Sequence, residues 1–188
     1  MSASERIGLV LTPGASATRE HSQLVAIDRA ATERAHAVVE RIDLGKSRKP
    51  EAHIATIRDA AERVSKRGGG IGLERVAVGG RSFGGRMCSM AVAGGMPALA
   101  LVLVSYPLHP PGKPDQRRTE HLPGITVPTL FVSGTRDTFA TPDELAAAAA
   151  LVAGPVTTVH VDGGDHGLRG RDSEVADVVA GWLAQHQH

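Results

Sequence analysis

Val76-Ala77-Val78-Gly79-Gly80-Arg81-Ser82-Phe83-Gly84-Gly85-Arg86 reads as a short apolar strand, a glycine-lined turn with one serine at its tip, and the start of a helix. Within it, Gly80-Arg81-Ser82-Phe83-Gly84 fits G-x-S-x-G, the pattern that holds a serine on a sharp strand-to-helix bend. A serine there takes a strained backbone conformation, and side chains two residues to either side would stop the turn from closing. The following helix would aim its N-terminal amides and the positive end of its dipole at the space in front of the serine. A glycine-rich strand-to-helix turn is also ordinary packing in α/β proteins, so this stretch alone leaves both readings open.

Outward from that turn, apolar runs alternate with helical spacing. Strands are expected at 7–11, 37–42, 75–79, 99–105, 129–133 and 156–161, each a short continuous apolar run bounded by turn residues. Helices are expected at 18–35, 51–67, 83–94, 142–152 and 173–185. Ile54, Ile57, Ala61 and Val64 share one face of the second helix, and Gly68-Gly69-Gly70 ends it. Strands that read as continuous apolar runs between helices predict a parallel sheet covered on both faces. The expected architecture is a three-layer α/β/α sandwich around a mostly parallel six-stranded sheet. With 188 residues, no internal repeat and no visible boundary, the chain is expected to form one domain.

Composition narrows the function. A formal net charge of +1 gives no electrostatic footprint for nucleic acid or an anionic membrane surface. Aromatic residues make up 3% of the chain, too few for a stacking platform on single strands. The single cysteine, Cys88, excludes an intramolecular disulfide framework and fits a reducing compartment; inside the expected third helix it reads as buried filler. Residues 1–6 are polar and the apolar run behind them is short, which reads as no signal peptide. No run approaches membrane-spanning length, and the expectation is a cytoplasmic protein. No phosphate loop is expected, because Gly68-Gly69-Gly70-Ile71-Gly72 precedes a strand and lacks the following lysine. The turn at Ser82 lacks dinucleotide spacing. His109, His121, His160 and His166 lack ligand spacing. Neither a cofactor nor a metal is expected.

In a parallel sheet, ligands bind beyond the carboxyl ends of the strands. Three loops there carry a matched set of residues: the turn with Ser82, the segment Ser133-Gly134-Thr135-Arg136-Asp137-Thr138-Phe139, and Asp162-Gly163-Gly164-Asp165-His166-Gly167-Leu168. A serine hydroxyl becomes a competent nucleophile when an imidazole takes its proton and a carboxylate fixes that imidazole's tautomer. Ser82, Asp137 and His166 supply those types in the chain order serine, acid, histidine, each after its own strand. Singly, His166 reads as a surface histidine and Asp137 as a turn cap. Asp162 and Asp165 are rival acids, but they share the histidine's loop, where turn formation explains them.

The chain resembles the small, capless α/β-hydrolases related to dienelactone hydrolase. The likeness runs over nearly the whole length. It rests on Leu11-Thr12-Pro13-Gly14-Ala15, Gly80-Arg81-Ser82-Phe83-Gly84-Gly85-Arg86, Ser105-Tyr106-Pro107-Leu108-His109-Pro110-Pro111-Gly112-Lys113, the segment from Val127 to Asp137, and Gly164-Asp165-His166. The resemblance implies Ser82 as nucleophile, Asp137 as acid, His166 as base, and an oxyanion hole from the backbone amides of Ala15 and Phe83. Where such proteins usually carry His-Gly after the first strand, this chain has Pro13-Gly14, which removes an amide and a bracing side chain.

Phe83, Tyr106, Leu108, Phe139 and Leu168 neighbour these loops and are expected to line an apolar cleft that binds substrate. Arg81 and other loop cations, among them Arg86, Lys113, Arg118 and Arg169, read most simply as solvated charges; the sharper reading has them attract an anionic substrate, with Arg81 binding it. Only the proline-rich stretch 107–126 interrupts the pattern, so no cap domain is expected. The expectation is a serine hydrolase cleaving ester-type bonds of a small molecule, with a homo-oligomer compatible. A protein of the same fold that binds a ligand or partner without catalysis is the alternative, favoured by the Pro13 loop.

Overall fold

The computed structural model describes residues 6–186. The polar start, read above as no signal peptide, therefore lies outside the described residues except for Arg6. Six strands, β1 (Gly8–Thr12), β2 (Val38–Arg41), β3 (Val76–Arg81), β4 (Leu101–Val104), β5 (Thr129–Gly134) and β6 (Val156–Val161), form one sheet in the order β2-β1-β3-β4-β5-β6. Every neighbouring pair is parallel, so the sheet expected to be mostly parallel is wholly so. Four helices connect them, α1 (Ser22–Arg34), α2 (Pro50–Arg67), α3 (Phe83–Ala93) and α4 (Pro142–Ala149), and α5 (Asp172–Gln185) follows β6.

Successive strand residues point to opposite faces, and here both faces are apolar. Leu9, Leu11, Val102, Val104, Leu130 and Val132 pack with Leu24 and Ile27 of α1 and Val175, Val179 and Leu183 of α5. Their strand neighbours Val10, Val78, Leu101, Leu103 and Phe131 pack on the other side with α2, α3 and α4, against Ile57, Val64, Met87 and Leu145. No polar residue is needed at alternate positions, which is why the strands read as runs. Burying each large side chain stabilises the fold by about 1.5–3 kcal/mol. The edge strand β6 departs from this pattern, with Thr157 and His160 exposed.

The helix ends follow local chemistry. Pro50 opens α2, where its fixed φ suits a helix and its missing amide costs nothing. Thr141 and Glu144 form a reciprocal cap on α4, whose first residue is Pro142. The chain leaves β1 for β2 on one side and returns past β1 to β3 on the other. At such a switch the loops after two adjacent strands diverge and open a crevice. Residues 13–17 and Ser82 stand at its two walls. Between β4 and β5 the chain forms only the short 3-10 turn Leu122–Gly124, with no α-helix.

Candidate active site

β3 runs two residues beyond its expected end. Thr12 of β1 pairs with Gly80, and Arg81 pairs with Val104 of β4, so the strand continues through both glycines. The next residue, Ser82, turns the chain into α3 with φ 48° and ψ −118°. That is a strained region for a residue with a Cβ, held only where the surroundings over-determine it. They do: the Ser82 amide donates to the Val104 carbonyl at 2.8 Å, and its carbonyl accepts from the Arg86 amide at 3.0 Å. A Cβ on Gly80 would collide with the Thr12 hydroxyl and carbonyl, and one on Gly84 with the Pro13 carbonyl and Thr12 side chain. The two glycines of the motif exist because the end of β1 passes this close. Thr12 Oγ1 in turn donates to the Gly79 carbonyl at 3.0 Å, locking β1 to the turn.

Two further loops converge on the serine. His166 Nε2 lies 2.9 Å from Ser82 Oγ, and His166 Nδ1 lies 3.0 Å and 2.9 Å from the two carboxylate oxygens of Asp137. Asp137 is 2% exposed. Its charge is met by the histidine, by the Phe139 amide donating to Oδ1 at 2.8 Å, and by the Ser133 hydroxyl donating to Oδ2 at 3.4 Å. The Phe139 ring stacks on the imidazole, with centroids 3.9 Å apart and planes 23° from parallel. The rival acids stand elsewhere. Asp162 is exposed and accepts from Thr135 Oγ1 at 3.3 Å, while Asp165 is exposed and closes a turn through its carbonyl. The arrangement joins a hydroxyl to a buried carboxylate through an imidazole, a geometry that can activate the hydroxyl by proton transfer.

In front of Ser82 lies an open cavity of about 610 Å³, lined by Gly14 to Ala17, His21, Arg81, Phe139, His166, Arg169 and Asp172 among others. Phe139, Arg81 and Ala15 are among its lining residues. Phe83, expected there too, instead packs its ring edge-to-face on His53, with centroids 5.1 Å apart. Three further residues also lie away from the cavity. Tyr106, Leu108 and Leu168 are 1%, 0% and 0% exposed and belong to the core rather than to the cavity wall. Tyr106 turns inward after Ser105, which has φ 50°. Its hydroxyl donates to the Arg118 carbonyl at 2.9 Å, and burial pushes its pKa up to about 12. Leu168, also at positive φ, packs beneath its loop against the α1/α5 face. The apolar cleft expected from these side chains is therefore largely absent. The cavity wall is polar and small-residued instead.

His21 and Asp172 are cavity residues that the sequence reading did not reach. Each sits at the start of a helix: His21 caps α1 by accepting from the Gln23 amide at 3.3 Å, and Asp172 opens α5. Burial lowers the His21 pKa, aided by Arg81 and opposed by Asp172. Because α1 and α5 pack side by side on one face, their starts lie together at the cavity rim; only the paired amphipathic faces of the two helices hinted at this.

Phe83, the first residue of α3, and Ala15, on the loop after β1, both carry backbone amides close to Ser82, and among the described residues neither amide donates a hydrogen bond within the protein backbone. Cys88 is fully buried behind the elbow, where burial pushes its thiol up to about 12, and it packs as filler. Among the described residues, no three His, Cys, Asp or Glu side chains gather as a metal site, and no helix is long and apolar enough to cross a membrane.

A family model described as alpha/beta hydrolase domain matches residues 5–182. Est1E from Butyrivibrio proteoclasticus superposes with a TM-score of 0.78 at 15% identity, over 97% of this chain and 89% of that one. A dienelactone hydrolase from Anabaena variabilis gives 0.76 at 18% identity, over 96% and 87%. A hydrolase-superfamily protein from Xanthomonas campestris gives 0.70 at 18% identity, over 96% and 99%. At these identities the structural likeness establishes a shared fold.

Proposed function

Since the chain belongs to the alpha/beta hydrolase domain family, we propose that it is a serine hydrolase that cleaves ester-type bonds of a small molecule through an acyl-enzyme. The observation that carries this reading is the hydrogen-bonded chain from Ser82 Oγ to His166 Nε2 at 2.9 Å, and from His166 Nδ1 to the Asp137 carboxylate at 2.9 Å. With Nδ1–H donated to Asp137, the Nε2 lone pair faces the hydroxyl. Ser82 Oγ attacks the substrate carbonyl carbon as its proton passes to Nε2, and Asp137 balances the imidazolium. The amides of Phe83 and Ala15 hold the oxyanion. His166 then gives its proton to the departing alkoxide, leaving the acyl group on Ser82. Water, deprotonated by His166, attacks the acyl carbon; the acyl–Oγ bond breaks as the imidazolium returns its proton to Ser82 Oγ, and the carboxylic acid leaves. Pro13 lacks an amide, but the donor in this scheme belongs to Ala15.

The cavity favours small, polar substrates, since Phe139 is its one aromatic wall. Intact mass after fluorophosphonate treatment tests the reading. One stoichiometric adduct is expected on the native chain and none on Ser82→Ala, followed by turnover in a panel of small esters and lactones. No adduct on either protein sinks the proposal and leaves a non-catalytic binding role.

A further inference from the structure

Arg81 precedes Ser82 in the chain, yet its guanidinium reaches to the other loops of the site. Nη2 donates to the backbone carbonyl of His166 at 2.8 Å. Nη1 lies on the side of Gly14, where a Cβ built on that glycine would stand 3.4 Å from it and 3.7 Å from the Ser82 Cβ. One side chain therefore bonds the histidine's loop and stands beside the loop after β1, while its own backbone leads into the serine.

Several features set it apart from a solvated loop charge. Arg81 makes no ion pair among the described residues, and its Nε is buried without a hydrogen-bond partner. Burial lowers the guanidinium's pKa, against the pull of Asp137, Asp165 and Asp172. Holding a cation there costs free energy that an exposed side chain would avoid. The His166 loop is tied to the Asp137 loop by the Arg136 amide on the Gly164 carbonyl at 2.8 Å and the Gly163 amide on Thr135 Oγ1 at 2.8 Å. Arg81 Nη2 adds a bond from the side of the elbow. The loop must keep its imidazole in line with both Ser82 and Asp137 although it turns through Gly163 and Leu168 at positive φ.

We propose that Arg81 is a positioning residue: its guanidinium ties the His166 loop to the elbow, fixing the imidazole relative to Ser82. The inference rests on the serine-hydrolase reading. It assigns the half-buried guanidinium to the protein's own His166 loop rather than to an anionic group on the substrate, and these two assignments part in kinetics. A clamp acts on every substrate through kcat. A substrate receptor acts through KM, and only on substrates that carry the anion.

The experiment compares native protein with Arg81→Met, Arg81→Lys, Arg81→Gln and Arg81→Ala on a matched pair of small esters, one neutral and one bearing a carboxylate. Fluorophosphonate labelling and thermal melts accompany the kinetics. A clamp predicts that Arg81→Met labels about 100-fold more slowly, and that kcat for both esters falls by a similar factor, the scale set by small misplacements of catalytic groups. KM should stay within about 2-fold for both, since uniform binding is untouched. Arg81→Lys, with one point charge in place of a fork, should recover only part of the loss. Guanidinium ion added to Arg81→Ala should restore part of the labelling rate, which a general loss of folding would not allow. Arg81→Gln carries the comparison if the Met variant melts early. A KM rise confined to the acidic ester, or native labelling rates in a folded Met variant, overturns the inference while leaving Ser82 as nucleophile. Failure of the native chain to label overturns the underlying reading and the clamp with it.

Discussion

The imidazole of His166 faces both oxygens of the Asp137 carboxylate at once, at 3.0 Å and 2.9 Å, although 29 positions separate the two residues in the chain. That carboxylate has no solvent around it to soften a change. Asp137→Asn keeps the size but presents an amide NH2 group to Nδ1, which favours the tautomer with its proton on Nε2, facing Ser82. The expected outcome is a fall in kcat of about 10³–10⁴-fold with little change in melting temperature. Steady-state kinetics on an ester that the native chain turns over checks it.

Ser82 sits at φ 48°, a conformation that glycine takes without penalty. Ser82→Gly should remove activity and stabilise the fold by about 1 kcal/mol, the strain relieved less the added freedom of the unfolded chain. Urea unfolding of the two proteins decides this, and a less stable glycine variant would refute it.

Gly84 is closed in by backbone, not by a side chain that can swing away. Gly84→Ala would drive its Cβ into the Pro13 carbonyl and Thr12, so the loop after β1 must shift. The prediction is a loss of about 1–3 kcal/mol, typical of overpacking, with a fall in kcat larger than any rise in KM. Gly181, by contrast, has open space at its Cβ position, and Gly181→Ala should raise the melting point slightly because alanine suits a helix interior better.

Acid stability should depend on Glu144. Its carboxyl is lowered to about 2 by the Thr141 amide first, then the Thr141 hydroxyl and His109. A carboxylate whose folded pKa lies below the unfolded value, about 4.5, contributes stability above that value and loses it as pH falls toward 2. His121 adds to the trend higher up. Burial and Arg86 lower its pKa, so folding keeps it neutral, and stability falls as the pH drops below about 6.5. Melting temperature against pH should thus decline in two stages, and Glu144→Gln should flatten the lower one.

Much of this was legible in the sequence, for a physical reason. Strands buried on both faces leave no polar alternation, so Leu9-Val10-Leu11 and Leu101-Val102-Leu103 announce themselves. The motif glycines are equally plain, because only they fit where Thr12 passes. Side-chain direction was not legible. Tyr106 and Leu168 neighbour site loops in sequence, but a positive φ at Ser105 and at Leu168 itself turns them into the core. Nor could spacing show that β3 continues through Gly80 and Arg81, since its pairing with β1 and β4 decides that, not propensity. His21 and Asp172 were out of reach for the same reason: they meet through the packing of two helices distant in the chain.

The order of the strands has a bearing on how the molecule comes into being on the ribosome. Ser82 and its turn are laid down before the middle of the chain is complete, yet His166 follows the last strand, β6, and precedes only α5. Until that strand has paired and α5 has covered Leu130, Val132 and Val161, the serine has no base beside it. On the proposed mechanism, a fragment that stops before β6 would carry a hydroxyl with no imidazole to take its proton, and activation would wait until the sheet is whole.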